Sequence, residues 1–485
     1  MKKESIKMKI QQIVGIENID FLHHTRNYLS ADFFLVGINF ITIPILTRLL
    51  TPDAYGILAV FTALLSMATV MMGFNLHTGI KRYYFERPDS FPQALGTNLL
   101  FLAVCSLIIL VGLSIHKSFL ATFFNIDQQL FMQVIVVAFL TIPLQILLSY
   151  LQAVKNSKQN SMLSIIKTMS TLTLTIVLIM NLTENKYMGR IYSELAVCSC
   201  FFIYASYSLY RIGIFTSISK KYVTYTLGFA LPLIPHTIAG FVLSYFDRII
   251  IQQLSTTTNS GLYSFAYNVG MLMNIVVMSS AKAWQPIFLA EIKQGNYQKI
   301  NSIAHTYSNY IYCAAIALIL FSREIVMLLA DHKYYDALNI VPIIVISYVF
   351  VFWHTLYFQY AAHRKKTALL SMNTIIAGVC NVALNYWLIP RYGYVMAAYN
   401  TLLSYLLLSS LHYLNARVVL RERVIPLGII LPRFLIVLLV FAVNALFLHQ
   451  IEHYIVVFLL KMAMLTFFAH YFIIRKSDVT KDEVS

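Results

Sequence analysis

Charged residues are scarce in this sequence. Of its 485 residues only 12% are charged, while 59% are hydrophobic; a water-soluble domain has about 25% charged residues. Long polar segments are missing too, and the longest outer connection between apolar stretches covers only residues 322–337. No segment is therefore long enough to form a soluble domain.

Signals for enzymatic or metal chemistry are also missing. The chain has no phosphate-binding Walker loop, no dinucleotide-binding glycine pattern and no nucleophile elbow. Its histidines do not form a metal-ligand pattern. The five cysteines are Cys105, Cys198, Cys200, Cys313 and Cys380. Because all of them fall in apolar stretches, they indicate buried thiols rather than disulfides or a metal site. We expect no cofactor, no metal and no catalytic residues.

Long hydrophobic runs are what the chain has in abundance. Crossing a bilayer core takes roughly 20 helical residues, and fourteen apolar stretches reach about that length. They are 28–50, 54–75, 97–116, 130–153, 159–181, 188–210, 226–251, 261–286, 302–321, 338–360, 368–389, 394–416, 427–448 and 453–474. The sequence thus predicts an all-α integral membrane protein with fourteen transmembrane helices.

The net charge of +16 raises nucleic acid as a partner, but the placement of the charge argues against it. If the N-terminus is inside, 24 of the 36 lysines and arginines lie on the inner side, eight on the outer side and four within spans. This is the positive-inside pattern. It predicts cytoplasmic termini and basic loops that contact anionic lipid headgroups. Since the first apolar stretch is too long for the core of a signal peptide, we expect no cleavable signal.

A basic, polar break at 211–225 divides the spans into six, six and two. We accordingly predict a cytoplasmic segment 1–27, an N-lobe 28–210, a linker 211–225, a C-lobe 226–416, extra helices 427–474 and a tail 475–485. IPILTRLL followed by TPDAYG in the first half resembles YFDRIII followed by SGLYSFAYN in the second. Both halves begin on the same side, as in transporters that rock around a site between two repeats. Pro44, Pro232 and Pro235 predict kinks in the first span of each half.

Charges at membrane depth are costly and usually face a cavity or a partner. Lys167 lies well inside its span, with no acid nearby in sequence, and either lines a cavity or snorkels to the inner interface. Arg48 and Arg248 recur near the outer ends of spans one and seven. They contact an anionic substrate, hold an outer gate or anchor the interface. Arg82 and Lys282 recur near inner ends, as an anion-attracting vestibule or as headgroup contacts.

Acids within spans are candidates for ion coupling. Asp32 is either a coupling carboxylate or a simple interfacial acid. Asp247 needs a partner elsewhere, because it cannot face its neighbour Arg248 on a helix. Glu194 has the helical spacing to pair with Arg190. Two further cations, Arg433 and Lys461, lie in the last two spans and are predicted to snorkel.

The motifs PILTRLLTPDAYG, GFNLHTGIKRYYFE, LPLIPHTIAGFVLSYFDRIII and AKAWQPIFLAEIK resemble Wzx-type oligosaccharide flippases. These belong to the multidrug/oligosaccharidyl-lipid/polysaccharide exporter superfamily. The resemblance implies two six-helix lobes around a central cavity, plus two additional helices. It also implies an undecaprenyl-diphosphate-linked oligosaccharide as substrate, moved across the bacterial cytoplasmic membrane by alternating access. The implied phosphate-binding cations are Arg48, Arg82, Lys167, Arg248 and Lys282.

The resemblance also suggests partners. They are membrane lipids, a coupling ion (H+ or Na+), and a polysaccharide polymerase with its chain-length protein. One alternative is a cation-coupled exporter of small molecules, but the deep charges are mostly basic, which favours an anionic cargo. Another alternative is an integral-membrane glycan polymerase or ligase, an enzyme type that needs a large outer loop.

Overall fold

The computed structural model of the chain describes residues 34–216, 218–448 and 453–474. Within these ranges every regular element is a helix and no strand occurs. The predicted all-α class is therefore confirmed. The predicted segments 1–27 and 475–485, and the candidate acid Asp32, lie outside the described residues.

The helices group into two compact units. Unit 1 comprises Met1–Leu50 and Val60–Ile238, and unit 2 comprises Thr51–Ala59 and Ala239–Ser485. The first ten helices are α1 (Phe34–Leu49), α2 (Pro52–Gly73), α3 (Leu76–Glu86), α4 (Phe91–Ile115), α5 (Lys117–Phe124), α6 (Gln128–Ala153), α7 (Ser157–Asn181), α8 (Met188–Ile212), α9 (Lys220–Ala230) and α10 (Ile234–Phe241). In this division the chain enters unit 2 first at Thr51–Ala59 and then again at Ala239, which lies within predicted span 226–251. The division into two lobes and a final helix pair remains a prediction.

Ten further helices follow along the chain. They are α11 (Asp247–Leu254), α12 (Thr257–Gly270), α13 (Leu272–Lys293), α14 (Tyr297–Leu320), α15 (Ser322–Leu329), α16 (Val341–His363), α17 (Thr367–Tyr392), α18 (Met396–Leu414), α19 (Leu427–Val443) and α20 (Tyr454–Ala469). Helices α16 and α18 pack against each other, and α14 packs against α19. Helix α16 is buried along most of its length and forms the centre of unit 2.

Twelve helical segments among the described residues are long and apolar enough to cross a membrane. They coincide with twelve of the fourteen predicted spans, so the chain is a multi-pass membrane protein. The other two predictions are span 28–50, of which only α1 is described, and span 394–416. The latter is α18, whose buried side includes the polar Asn400, Thr401 and Ser404. The full count of fourteen remains a prediction.

Helix α2 begins where the sequence Thr51-Pro52-Asp53 predicts a helix start. The backbone N–H of Ala54 donates to Oγ1 of Thr51 (3.3 Å), Pro52 opens the helix, and Asp53 lies in its first turn. A hydroxyl cap, a proline and an acid each suit the positive end of a helix. The predicted start is confirmed.

The run from Lys220 to Leu254 is not a regular helix. A 3₁₀ turn at Leu231–Leu233 holds Pro232, and a π-helical turn at Val242–Phe246 precedes α11. Proline removes a backbone donor and π turns insert a residue into the helix ladder. The predicted irregularity is confirmed at Pro232, whereas Pro235 lies within the regular helix α10. The π turn places Asp247 and Arg248 in the first turn of α11.

The start of α2 packs in unit 2 through two glycines. A Cβ at Gly261 would lie 1.8 Å from the carbonyl oxygen of Pro52, and a Cβ at Gly56 would lie 2.1 Å from that of Thr257. Backbone atoms cannot rotate away as a side chain can. Only glycine at both positions therefore lets α2 and α12 approach this closely.

Gly261→Ala tests this approach. We expect a loss of about 1–3 kcal/mol in stability, the usual cost of forcing extra atoms into a packed contact. The thermal unfolding midpoint of the purified protein measures it. Gly112→Ala is the matched control, because a Cβ there meets no atom within 4 Å. Equal midpoints for the two variants would show that α2 is free to shift.

Candidate substrate and ion sites

Lys167 belongs to a charged cluster within unit 1. Its Nζ on α7 lies 3.2 Å from Oε1 of Glu194 on α8. Nη2 of Arg190 lies 3.5 Å from the other carboxylate oxygen, and the Cys198 thiol donates to Oε1 (3.7 Å). Side-chain exposure is 26% for Lys167 and 11% for Glu194. Two cations thus share one carboxylate, which leaves net positive charge at a largely buried place.

This cluster gives Lys167 a partner and confirms one expectation. The next helix supplies an acid that sequence proximity does not reveal, and the cavity-lining and snorkelling roles of Lys167 remain predictions. The predicted pair of Arg190 and Glu194 is confirmed. Close packing of α7 and α8 holds the cluster. Ser193 and Thr175 hydroxyls bond across the two helices (3.0 Å), and a Cβ at Gly189 would lie 2.8 Å from the backbone nitrogen of Ile179.

Arg82 lies at an aromatic and acidic cluster of unit 1. Its Nε donates to Oε1 of Glu86 (2.6 Å), and its guanidinium lies 4.5 Å from the ring centre of Phe229. The Tyr225 hydroxyl donates to the other carboxylate oxygen of Glu86. The Tyr225 hydroxyl and the Arg82 guanidinium lower the pKa of the exposed Glu86 carboxyl. The last turn of α3 is thereby joined to α9, and Arg82 itself is exposed.

The other two candidate cations with exposed side chains are Arg48 and Lys282. Arg48 lies in the last turn of α1, in unit 1, and Lys282 lies in α13, in unit 2. Their predicted roles as substrate contacts remain predictions. The candidates are thus spread over both units, and Arg82 and Lys167 have different acidic partners.

Arg248 is buried in unit 2, with a relative exposure of 3%. Its guanidinium lies 4.5 Å from the ring centre of Tyr267 and 5.1 Å from that of Tyr245. Nη1 donates to the carbonyl of Ser244 (2.6 Å). The negative ring faces and the carbonyl oxygen both stabilise the cation. Direct contact with a substrate is blocked in this conformation, since the side chain is covered.

Asp247 is fully buried at 0% exposure. Its carboxylate accepts three hydrogen bonds of 2.6 Å, from the Tyr263 hydroxyl, the Thr401 hydroxyl and the Asn385 amide. These donors come from three helices, α12, α18 and α17. The sequence predicts a partner for Asp247 elsewhere in the chain, because Asp247 cannot face its neighbour Arg248 on a helix. The three donors confirm this prediction.

An amide network extends the Asp247 site. The amide of Asn400 donates to Oδ1 of Asn385 (2.9 Å), and the amide of Asn385 also lies 3.2 Å from Oδ1 of Asn381. All three asparagines are buried. Carboxylate, amide and hydroxyl oxygens are the ligand types that hard cations prefer. The role of Asp247 in ion coupling remains a prediction.

Sequence reasoning missed the neutral members of this network. Asn381 and Asn385 are four residues apart in an apolar helix and so lie on one face. Polar side chains at membrane depth usually mark buried contacts or function, a signal that the search for charges did not use. Thr401 carried a weaker signal, because threonine is common in such helices.

One prediction about the last helices was wrong, that for Lys461, while snorkelling of Arg433 remains a prediction. Lys461 does not snorkel: it is 3% exposed, and its Nζ lies 2.9 Å and 3.0 Å from the two carboxylate oxygens of Glu324. Arg433 bonds Oδ1 of Asn309 (2.6 Å) and also contacts the Ile429 carbonyl and the His305 ring. The Glu324 carboxylate on α15 offsets the cost of burying the Lys461 charge. Lys461 thus joins α20 to α15, and Arg433 joins α19 to α14.

The chain matches one protein family and is similar to two proteins of Haemophilus influenzae. The family described as "Polysaccharide biosynthesis protein" matches residues 26–291. "Lsg locus putative protein 1" of Haemophilus influenzae is 27% identical over 283 residues, which are 55% of this chain. An "Uncharacterized membrane protein" of the same species is 21% identical over 278 residues, or 56% of this chain. Each match covers 65% of the length of that relative.

Solved structures share the fold. "Lipid II flippase MurJ, inward closed conformation" superposes with a TM-score of 0.70 at 12% identity, over 92% of this chain and 98% of that one. An "inward-facing conformation of a multidrug resistance MATE family transporter of the MOP superfamily" gives 0.63 at 14% identity, over 80% and 94%. At these identities the likeness establishes the fold alone. Both proteins are named as a flippase or a transporter.

The ion pair of Lys461 and Glu324 gives a stability test. Lys461→Met leaves a buried carboxylate without its partner, so we expect a loss of about 3–5 kcal/mol, seen as a lower unfolding midpoint. The double variant Lys461→Met with Glu324→Leu removes both charges and should recover most of that loss. A double variant as unstable as the single one would show that the packing, not the charge, matters.

Proposed function

Because the chain belongs to the polysaccharide biosynthesis protein family, we propose that it flips a lipid-linked oligosaccharide across the bacterial cytoplasmic membrane. The specific cargo we propose is an undecaprenyl-diphosphate-linked repeat unit for O-antigen, capsule or exopolysaccharide. Movement is by alternating access, with both termini in the cytoplasm. The likeness of fold to a lipid II flippase and a multidrug exporter supports membrane transport as the reaction class.

The cluster of Lys167, Arg190 and Glu194 is the observation that carries this proposal. A diphosphate is strongly anionic, and hydrocarbon around it strengthens every charge interaction. A cluster with two cations and one carboxylate offers a positive potential inside a transmembrane helix pair. Glu194 keeps the two cations paired when no phosphate is present. An incoming diphosphate then competes with that single carboxylate for both of them.

We assign the other candidate cations roles that depend on whether their side chains are exposed or covered. Arg48, Arg82 and Lys282 have exposed side chains, and we assign them direct contacts with a phosphate group. Arg248 is covered by tyrosine rings. In this conformation it adds positive potential rather than a direct bond.

We assign coupling to the Asp247 network of unit 2. A buried carboxylate held by neutral donors changes its charge when it takes up a proton or a cation, and that change alters the stability of the helices around it. Asp247 holds α12, α17 and α18 together through its three bonds. Ion binding there can therefore shift the equilibrium between two conformations. Asp32 is the second candidate of the sequence for the same role.

A cation-coupled exporter of small molecules is the second candidate function. The Asp247 network favours it, because such exporters also need a buried acid for the ion. The two functions differ in cargo charge. A diphosphate cargo needs the net positive cluster at Lys167, whereas a cationic drug is repelled by it.

Lys167→Ala tests the flippase directly. We expect flipping of a lipid-linked oligosaccharide in reconstituted vesicles to fall about tenfold or more, since a charged hydrogen bond contributes roughly 1.5–3 kcal/mol. Abundance and unfolding midpoint should change little, because Arg190 still pairs with Glu194.

Two controls complete that experiment. Lys167→Arg keeps the charge and should retain most of the flipping. Lys158→Ala removes an exposed lysine from the same helix and should have no effect on it. Wild-type flipping by Lys167→Ala at normal abundance would contradict the cargo role. Transport of a cationic dye with no flipping would favour the exporter.

Asp247→Asn tests the coupling role. The amide can keep hydrogen bonds with its neighbours but cannot change its charge, so we expect transport to lose its stimulation by a Na+ or pH gradient imposed across vesicles. The exposed Asp89→Asn serves as control and should respond as wild type does. Undiminished stimulation of Asp247→Asn by both gradients would place the coupling ion elsewhere.

A further inference from the structure

Unit 1 contains a pocket that none of the roles above uses. It has a volume of about 440 Å³ and lies between α4, α6 and α8. Leu102, Phe139, Ile146 and Phe202 are among the residues that line it. The rim includes Leu100 and Tyr207, which are exposed on the surface of the unit. These helices are long and apolar enough to span a membrane.

The interior of the pocket is hydrocarbon. Apart from two serines and two tyrosine hydroxyls, the lining side chains are aliphatic or phenylalanine. Ser106 points its hydroxyl to the carbonyls of Leu102 (2.6 Å) and Ala103 (3.3 Å), which satisfies it within its own helix. A lining that is almost entirely apolar suits an apolar chain.

One end of the pocket is built by the segment that follows α8. Phe215 of this segment lines the pocket and stacks on Tyr210, with ring centres 5.3 Å apart. The segment is fixed to the start of α4, because the Ile214 N–H donates to the Pro92 carbonyl (2.8 Å). A Cβ at Gly96 would lie 2.1 Å from the Ile214 carbonyl oxygen. The end wall is thus held in place by tight backbone contact.

Positive charge lies beside the rim. Arg211 is exposed, its Nη1 donates to the Tyr207 hydroxyl (3.1 Å), and its guanidinium lies 5.9 Å from the centre of that ring. Lys220 and Lys221 follow in the same connection, and the sequence 211–225 contains no aspartate or glutamate. The positive-inside pattern assigns this connection to the cytoplasmic side. An apolar pocket therefore adjoins a cation at the level of inner-leaflet headgroups.

We propose that this pocket binds one acyl chain of an anionic phospholipid of the inner leaflet, whose phosphate lies at Arg211. The charge selects the headgroup and the hydrocarbon lining takes the chain. Binding of this lipid fixes α4, α6 and α8 to one another. This role is independent of the cargo carried by the protein.

Native mass spectrometry of the delipidated, detergent-purified protein tests the proposal. The probe is phosphatidylglycerol, compared with phosphatidylcholine of the same acyl chains. Wild type should retain one phosphatidylglycerol in preference to phosphatidylcholine. Arg211→Gln should weaken retention about fivefold, which corresponds to the roughly 1 kcal/mol that a cation near the membrane surface contributes. Ala103→Trp should fill the pocket and abolish the bound lipid.

Matched controls separate the pocket from general lipid contact. Val104→Trp adds the same ring at an exposed neighbour that does not line the pocket. Arg417→Gln removes an arginine that also stacks on a tyrosine, Tyr413, in unit 2. Both controls should retain phosphatidylglycerol as wild type does, and gel filtration checks that every variant is folded. Equal retention by Ala103→Trp and Val104→Trp overturns the pocket. Equal retention of both lipids, or a polyprenyl lipid found in the pocket instead, overturns the phospholipid assignment.

Discussion

The cost of an ionised side chain in hydrocarbon governs how helices pack within each unit. An isolated charge at membrane depth costs several kcal/mol, and a partner from a neighbouring helix offsets that cost only when the two helices stay together. Lys461 and Glu324 join α20 to α15 in this way, and Lys167 and Glu194 join α7 to α8. Asp247 accepts hydrogen bonds from neutral donors on three helices. Charge in this protein is therefore an element of its architecture.

The buried sites described for the two units differ in the sign of their charge. In unit 1 the cluster at Lys167 keeps an excess of positive charge, which fits an anionic cargo. In unit 2 the Asp247 carboxylate is surrounded by hydroxyls and amides. That environment fits the uptake of a proton or cation. The proposed function assigns the cargo to the first of these sites and the coupling ion to the second.

Local features of the chain were predictable because they depend on neighbours in sequence. The helix start at Thr51, the irregular turn at Pro232 and the pair of Arg190 and Glu194 all involve residues within one or two turns. Predictions failed where the partner lies on another helix. Lys461 was assigned to the interface because Glu324 is remote in sequence. Glu194, the partner of Lys167, is also remote in sequence.

The sequence by itself determined the environment and the class of fold. Apolar runs of this length indicate membrane-spanning helices, because the thickness of the bilayer sets the length of a span. The alternation of positive charge predicts on which side of the membrane each connection lies. The tertiary structure alone decided which helices touch. An apolar helix presents lipid-compatible residues on every face, so its pattern does not say which face meets a neighbour. The oxygen-rich site at Asp247 and the pocket beside Arg211 are made of several helices each and arise only once those helices are packed.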